Sequence, residues 1–186
     1  MSSPPITRQP SSPGTVADCD AAPRSKMRSL TGVQLLASGS YVPEEIVTNE
    51  DLQQLGYDSD WIIQRTGINT RHRAPAHLAT SDLAYEASQR CLDAAGESAE
   101  DIDMIVMATM TPDHPAPSTA CFLQERLGAT QAGAMDLNAA CAGFMYALIT
   151  GAQFIGARTC RRVLVVGADV NTRIVNPNDE KTFPLF

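Results

Sequence analysis

Thiols are the side chains of this sequence with the widest chemistry, because a thiolate is both a nucleophile and a metal ligand. The chain holds five cysteines: Cys19, Cys91, Cys121, Cys141 and Cys160. No two of them have the spacing of a C-x-x-C pair, so we predict neither a metal site nor a redox pair. The sequence starts without a recognisable secretory segment, which favours reduced thiols in a cytoplasmic protein.

Cys141 differs from the others in its position. It lies near the start of AACAGFMYALITGAQFIGA, residues 139–157, and this stretch follows the strand-like run MDLN. A strand-to-helix turn would place Cys141 in the first turn of the helix, with Asn138 or Ala140 as its cap. Unpaired N–H groups and the helix macrodipole stabilise an anion there, and a thiolate is such an anion. A small buried hydrophobic residue would also suit the position, so position alone leaves both interpretations open.

The other thiols and the histidines give weaker signals. Cys91 and Cys121 fall within predicted helices and are expected in the core. Cys160 precedes a basic pair in a loop, and Cys19 lies in the N-terminal tail. The histidines, His72, His77 and His114, fall in predicted loops and are expected at the surface or in turns. We therefore predict no catalytic or metal-binding role for them.

Apolar runs and amphipathic segments alternate along the chain, which predicts an α/β fold with a mostly parallel sheet covered by helices on both faces. Most helical segments begin at a capping residue and end at a glycine. The predicted strands are 31–39, 103–109, 132–138 and 162–169. The predicted helices are 48–56, 59–67, 80–96, 118–128 and 139–157.

The segment 139–157 is apolar on every side, which predicts a central helix buried between layers. Glycine and alanine together outnumber its large aliphatic residues, so a membrane span is not predicted. Gly143, Ala147 and Gly151 repeat every four residues and share one face of the helix. Such a face allows another backbone to approach closely, and we expect a second helix to lie against it.

Composition and charge restrict the classes of function. With 44% hydrophobic and 19% charged residues, the chain of 186 residues is typical of a globular protein. Its net charge of −7 argues against nucleic-acid binding, which needs clustered Lys and Arg. Residues 1–26 are rich in Pro, Ser and Ala and are predicted to be a disordered tail before a folded domain at 27–186. Met27 opens the first patterned segment, so we hypothesise that translation starts there rather than at Met1.

Five segments of the sequence carry a resemblance to a known family. They are GSYVPEEIVTNEDL at 39–52, SDWIIQRTGINTRHRA at 59–74, PSTACFLQERLG at 117–128, DLNAACAGFMYAL at 136–148 and VLVVGAD at 163–169. In this order they resemble β-ketoacyl-[acyl-carrier-protein] synthase III, a member of the thiolase superfamily. Five motifs in the family's order make the resemblance specific, whereas ACAGF alone would be much weaker.

The resemblance implies a thiolase-like fold, of which this chain would be the N-terminal half, and a role in the initiation of fatty acid biosynthesis. Cys141 would take an acyl group, usually acetyl, from acyl-CoA as a thioester. Malonyl-acyl-carrier protein would then lose CO2, and its carbanion would attack the thioester to give a 3-ketoacyl-carrier protein. Backbone N–H groups, including that of Cys141, would stabilise the oxyanions. The family is homodimeric and uses acyl-CoA as a substrate, with no tightly bound cofactor.

Trp61, Arg65 and Thr66 match the family's W-x-x-x-R-T-G segment. The resemblance implies that the indole and the guanidinium hold the adenine of CoA, with Thr66 in support. One position departs from the family's pattern, because Glu180 stands where relatives often carry an Arg that assists the CoA phosphates. A carboxylate repels a phosphate, so any phosphate contact at this place depends on the neighbouring Lys181.

The family's catalytic His and Asn belong to a second half that the resemblance places after Phe186. We therefore expect this chain alone to accept an acyl group but to condense poorly or not at all. Two alternatives stay open. One is another synthase of the superfamily, either a hydroxymethylglutaryl-CoA synthase or a synthase that makes a specialised ketide. The other is a non-catalytic truncated subunit that folds only with a complementary chain.

Overall fold

The structure of the chain is a computed structural model. It describes residues 31–53, 56, 58–176, 178–179 and 182–185. The predicted tail at 1–26, the proposed start at Met27, and the pair Glu180 and Lys181 lie outside the described residues. The described chain forms a small antiparallel sheet and a three-stranded parallel sheet, each packed with helices.

The small antiparallel sheet is built from the first part of the chain. Strand β1 spans Glu45–Thr48 and pairs with β2, Thr70–Arg73, while helices α1, Asn49–Gln53, and α2, Ser59–Thr66, lie between them in sequence. The sequence predicts both helices but neither strand. The loop predicted around His72 is wrong, because this residue lies on β2 and its backbone belongs to the cross-strand ladder.

The two short helices begin where the chain offers an oxygen to their free N–H groups. At α1, the Thr48 hydroxyl accepts from the Asp51 N–H at 3.2 Å, and the Asp51 carboxylate accepts from the Thr48 N–H at 2.8 Å. This backbone hydrogen bond lowers the pKa of Asp51, and the Thr48 hydroxyl adds to the effect. At α2, Asp58 caps the N-terminus and Gly67 ends the helix with φ 73°. The sequence predicts Thr48 or Asn49 as the cap of α1, and in the structure the Thr48 hydroxyl is the acceptor.

The parallel sheet holds three strands, which confirms three of the four predicted ones. Strand β3 spans Met104–Ala108, β4 spans Gly133–Leu137 and β5 spans Val163–Gly167. Strand β3 is central and pairs in parallel with the other two, in the order β4–β3–β5. Parallel neighbours need a crossover connection, and the chain supplies helices for this purpose.

Helices cover both faces of the parallel sheet, so the predicted α/β class is confirmed. They are α3, Thr80–Ala95, α4, Thr119–Leu127, and α5, Gly143–Gly156. On one face, α3 and α4 pack on a layer that includes Ile105 and Met107. On the other face, Val106 and Ala108 pack against Ala147 of α5. Successive strand residues point to opposite faces, which is why continuous apolar strands need both layers.

The small-residue face of α5 lies against the sheet rather than against another helix, so that expectation is wrong. A Cβ atom built on Gly151 would lie 2.9 Å from Val165 Cγ2 and 3.0 Å from Val163 Cγ1. The branched valines of β5 fill the space that a partner helix would need. The outer face of α5 is also about half exposed rather than buried, at Phe144, Met145, Tyr146 and Ile149. Among the described residues, no helix has the length and apolarity needed to cross a membrane.

We predict that Gly151→Leu lowers the free energy of unfolding by about 1–3 kcal/mol, because a larger side chain would force α5 away from β5. Gln153→Leu serves as the control, since Gln153 is exposed on the same helix and surface substitutions usually change stability by less than about 0.5 kcal/mol. Urea unfolding followed by circular dichroism measures both. Equal stability of the two variants would contradict the packing described for this face.

The strand predicted at 31–39 is wrong, because the described residues of this segment have no regular secondary structure. An apolar groove of about 440 Å³ is lined by residues 34–39 on one side and by β5 on the other. Leu35 and Leu36 are 75% and 57% exposed. A strand requires a partner within hydrogen-bonding distance, and no described strand pairs with this segment.

Candidate active site

Cys141 lies at the carboxyl end of the parallel sheet. After β4 ends at Leu137, the chain makes one turn of 3-10 helix at Ala140–Ala142 and then enters α5. Cys141 is exposed in this chain, unlike the small buried hydrophobic residue of the alternative interpretation. The prediction that Cys141 lies in the first turn of α5 is wrong. Cys141 lies in the 3-10 turn directly before this helix, and that turn ends at Ala142, the N-cap of α5.

The backbone directly before Cys141 has an unusual conformation. Ala140 has φ 46°, a conformation that costs energy for a residue with a side chain. The Asn138 carboxamide oxygen accepts from the Ala140 N–H at 3.4 Å, and the Ala142 N–H donates to the Ala139 carbonyl at 3.1 Å. Ala142 offers no side-chain cap to α5. The Gly143 N–H, at the start of α5, donates to the Ala140 carbonyl, so this N–H group is not available to the thiol.

The ends of the three strands support this turn. The Thr109 N–H, just after β3, donates to the Leu137 carbonyl at 3.1 Å, and the Ala168 N–H, just after β5, donates to the Ala108 carbonyl at 3.1 Å. A Cβ atom built on Gly143 would lie 3.2 Å from Ala108 Cβ. The chain after Cys141 therefore rests directly on the end of β3.

Two carboxylates at this edge of the sheet were missed by the analysis of sequence. Asp136 of β4 accepts from the N–H groups of Thr119 and Ala120, at 2.7 Å and 2.8 Å, and so fixes the N-terminus of α4. Asp169 accepts from residues that follow β3, including the Met110 N–H at 2.7 Å. Their signal in the sequence is an acidic residue within or directly after an apolar strand, at MDLN and VVGAD.

A cavity of about 380 Å³ lies at the same edge, next to the end of β4. It is lined by Thr109, Pro112, Pro115, Ser118, Ala134, Met135, Asp136 and Asn138. Asn138 also accepts the hydrogen bond that shapes the turn of Cys141. Asn138 is therefore shared between the lining of this cavity and the turn of Cys141, whereas Cys141 itself does not line the cavity.

Trp61, Arg65 and Thr66 lie together on α2. The Arg65 guanidinium carbon is 4.9 Å from the centroid of the Trp61 ring. Trp61 is half-buried against the cluster of Val47, Leu52 and Ile62, whereas Arg65 is exposed. An indole face beside a guanidinium is suited to a flat nucleotide base.

Thr66 has a structural part in this helix. Its hydroxyl donates to the Ile62 carbonyl at 2.7 Å and accepts from the Ile68 N–H at 3.0 Å, which closes the last turn of α2. The structure thus brings the three residues of the W-x-x-x-R-T-G segment together. Cys141 lies in the other part of the fold, and among the described residues no hydrogen bond or ion pair joins it to α2.

Arg71 on β2 is a further cation that the analysis of sequence missed. Its Nη2 donates to Asn49 Oδ1 at 2.9 Å and to the Pro184 carbonyl at 3.3 Å. Nε and Nη1 are buried and find no hydrogen-bond partner within the described part of the chain. Burial lowers the pKa of Arg71, and the charge of Arg73 lowers it further. The guanidinium therefore links α1 to Pro184 by hydrogen bonds, while the burial of its two unpaired nitrogens costs free energy.

The remaining cysteines and histidines, for which no chemical role is predicted, contact other parts of the fold. Cys91 and Cys121 are half-buried on α3 and α4, where Cys91 Sγ lies 3.7 Å from the Ala37 carbonyl and burial raises the pKa of the Cys91 thiol. Cys160 is half-buried in the loop before β5. His72 Nδ1 lies 2.5 Å from the Pro43 carbonyl, and the His114 ring lies 5.4 Å from that of Phe122, centroid to centroid, at an interplanar angle of 53°. Cys141 is the exposed thiol among the described cysteines.

Comparison with known proteins adds an independent finding. A family model described as 3-Oxoacyl-[acyl-carrier-protein (ACP)] synthase III matches residues 135–186. A β-ketoacyl-[acyl-carrier-protein] synthase III of Rhodopirellula baltica is 62% identical over 160 residues, which are 86% of this chain and 46% of the relative. One from Geobacillus kaustophilus is 51% identical over 83% of this chain and 50% of its own length.

Solved structures agree in fold. The 3-oxoacyl-[acyl-carrier-protein] synthase III of Aquifex aeolicus VF5 matches with a TM-score of 0.81 and 37% identity, over 83% of this chain and 50% of its own. The priming β-ketosynthase of the R1128 polyketide biosynthetic pathway matches with a TM-score of 0.80 and 34% identity, over 82% and 46%. The chain spans about half the length of the curated relatives it matches.

Proposed function

We propose a function for this chain from the premise that it belongs to the 3-oxoacyl-[acyl-carrier-protein] synthase III family, whose members it matches over about half of their length. The function is acyl transfer in the initiation of fatty acid biosynthesis, by condensation of acyl-CoA with malonyl-acyl-carrier protein. The chain supplies the part of the enzyme that accepts the acyl group. The observation that carries this proposal is the exposed Cys141 at the carboxyl end of a parallel sheet, next to the start of α5.

Cys141 acts as the nucleophile in the first half of the reaction. Its sulfur attacks the carbonyl carbon of acyl-CoA, a tetrahedral oxyanion forms, and the carbon–sulfur bond to CoA breaks as the CoA thiolate leaves. The resemblance assigns stabilisation of that oxyanion to backbone N–H groups that include the N–H of Cys141. The product is an acyl thioester on Cys141, with acetyl as the expected acyl group.

The second half of the reaction forms a carbon–carbon bond. Malonyl-acyl-carrier protein releases CO2, and the electron pair left on its α-carbon attacks the thioester carbonyl. The bond to Cys141 then breaks, which restores the thiolate and gives a 3-ketoacyl-carrier protein. The resemblance assigns the His and Asn that activate the carrier thioester to the part of the relatives that this chain does not span.

The surface of α2 binds the CoA moiety in this proposal. Trp61 offers a half-buried indole face, and the Arg65 guanidinium stands 4.9 Å from the ring centroid. Such a pair can hold an adenine ring by stacking and by cation–π attraction. Thr66 supports the pair by closing the end of the helix. A homodimer and a cytoplasmic location belong to the same proposal, as the resemblance implies.

A specialised ketide synthase is a second candidate. The similarity to the priming β-ketosynthase of the R1128 pathway favours it, since that protein matches nearly as well as the fatty acid enzymes do. Both candidates use Cys141 in the same way and differ in the acyl group and the carrier.

A third candidate, a non-catalytic subunit completed by another chain, is supported by the half-exposed apolar side chains on α5.

The proposed function is tested by mixing the purified chain with acetyl-CoA and following the free CoA thiol. We expect release of CoA up to the amount of chain present and no further turnover, because the thioester accumulates when condensation is slow. Addition of malonyl-acyl-carrier protein should release little CO2. No release of CoA would argue against acyl transfer and in favour of the non-catalytic subunit, whereas rapid release of CO2 would show that this chain condenses alone.

A further inference from the structure

We propose that Asp169 is a positioning residue for the chemistry at Cys141, acting as the acceptor that locks the loop after β3 to the loop after β5. The proposal rests on the proposed function, in which Cys141 accepts the acyl group. Asp169 itself does not contact the thiol in any described interaction, so its effect passes through the backbone that supports the turn of Cys141.

A single oxygen of Asp169 holds three consecutive residues. Oδ1 accepts from the Met110 N–H at 2.7 Å, from the Thr109 hydroxyl at 3.2 Å and from the Thr111 hydroxyl at 3.4 Å. The Thr109 hydroxyl in turn accepts from the Thr111 N–H at 3.0 Å. The loop after β3 is therefore fixed by a side chain of the loop that follows β5.

Buried hydroxyl groups extend this network. The Thr111 hydroxyl accepts from the Val170 N–H at 2.9 Å, so the two loops are joined a second time. The Thr80 hydroxyl, at the start of α3, donates to the Thr111 carbonyl at 2.6 Å. Thr80 and Thr111 are 2% and 9% exposed, so their hydrogen bonds are costly to lose. The network thus clamps three elements at the carboxyl edge of the sheet.

Thr109 connects this hydrogen-bond network to the turn of Cys141. The N–H of Thr109 donates to the Leu137 carbonyl at 3.1 Å, at the end of β4, four positions before Cys141. Ala108, directly before Thr109, supports Gly143 on the other side of the thiol. The turn that carries Cys141 is therefore anchored at one end on Thr109, which Asp169 holds, and at the other end on Ala108, the residue directly before it. A shift of about 1 Å in such a support can slow a reaction by about 100-fold.

The partners of Oδ1 are neutral donors, and this makes the proposal specific. A carboxamide oxygen can accept the same hydrogen bonds as a carboxylate oxygen, although more weakly. Asp169→Asn should therefore preserve the clamp, whereas Asp169→Ala should remove it. A role that depended on the negative charge would predict instead that both variants fail.

The experiment measures the single-turnover rate of acetyl transfer from acetyl-CoA to the chain, in wild type and in both variants. We expect Asp169→Ala to slow transfer by about tenfold or more and Asp169→Asn to stay within about threefold of wild type. Alkylation of Cys141 by iodoacetamide should stay within about threefold in all of them, since this reagent needs an exposed thiol rather than an aligned carbonyl.

Asp103→Ala is the matched control. Asp103 also accepts backbone hydrogen bonds, from the Arg161 and Arg162 N–H groups at 2.6 Å and 2.9 Å, but it lies at the opposite end of the same sheet. The backbone bonds to Arg162 and Arg161 lower the pKa of Asp103, so its loss should also affect stability. A general loss of stability would slow acetyl transfer in both alanine variants, whereas loss of positioning would slow it in Asp169→Ala alone.

Several results would overturn the proposal. They are a rate in Asp169→Ala equal to wild type, a rate in Asp169→Asn as low as in Asp169→Ala, and an equal loss in Asp103→Ala. If the wild type takes up no acetyl group, the proposed function fails, and amide hydrogen exchange still decides the role of Asp169. Asp169→Ala should then speed exchange at 109–111 and at 138–143, and unchanged exchange at 138–143 would overturn the proposal.

Discussion

Cys141→Ala should abolish acetyl transfer from acetyl-CoA to the chain, with a loss of roughly a thousandfold or more, as is usual when a covalent nucleophile is removed. The sulfur is the atom that carries the acyl group, and no other described cysteine is exposed at this edge of the sheet. The stability of the chain should change little, because the side chain is exposed. Transfer of radiolabelled acetyl groups to precipitated protein measures the loss.

Cys121→Ala is the control for this prediction. Cys121 is a half-buried thiol of α4, with Sγ 3.1 Å from the Ser118 hydroxyl, and it has no part in the proposed reaction. We expect it to retain transfer within about threefold of wild type, as a substitution away from the reacting atoms should. Acetyl transfer that persists in Cys141→Ala, or disappears in Cys121→Ala, would contradict the assignment of the nucleophile.

Trp61→Ala should weaken binding of CoA by about tenfold or more, which corresponds to about 1.4 kcal/mol. The variant removes both the stacking face and the partner of the Arg65 guanidinium. Arg65→Ala should weaken binding less, by about threefold, because the indole face stays in place. Isothermal titration with CoA measures each dissociation constant.

Gln64→Ala is the matched control, since Gln64 is an exposed neighbour on the same helix. Trp61 also packs on the cluster of Val47, Leu52 and Ile62, so its replacement lowers stability as well. Thermal unfolding must therefore confirm that Trp61→Ala is folded at the temperature of the titration. A folded Trp61→Ala with the wild-type affinity would show that CoA does not bind at α2.

The parallel strands could be predicted because their sequence signal is local. Each holds a continuous apolar run, and a run of this kind is compatible with a strand that is covered on both faces. Strands β3, β4 and β5 are confirmed within a few residues of the predicted bounds. The N-terminal cap of α1 and the glycine that ends α2 could be predicted for the same reason, since Thr48 and Gly67 act on residues next to them in sequence, whereas α2 is capped by Asp58 rather than by the predicted Ser59.

The errors come from contacts between distant parts of the chain. The segment 31–39 has the composition of a strand but finds no partner among the described strands. Strands β1 and β2 have weak individual patterns and exist because they pair with each other. The face of Gly143, Ala147 and Gly151 was correctly identified as a site of close approach, but helical spacing does not tell whether a helix or a sheet approaches.

In the candidate site, too, the local features could be predicted and the contacts between distant residues could not. Cys141 and the residues of α2 could be found from motifs, because each motif is contiguous. The network of Asp169 could not, since its partners lie about 60 positions earlier in the chain. The position of Cys141 before α5 rather than within its first turn depends on the unusual backbone of Ala140, which the sequence does not encode in an obvious way.

The central claim is that Cys141 receives the acyl group from acyl-CoA. It is tested most directly by incubating the wild-type chain with acetyl-CoA, digesting it at acidic pH and mapping the peptides by mass spectrometry. We predict that the peptide containing Cys141 gains the mass of one acetyl group, and that hydroxylamine, which cleaves thioesters, removes it. An acetyl group on any other peptide, or none on the peptide of Cys141 while CoA is released, would contradict the claim.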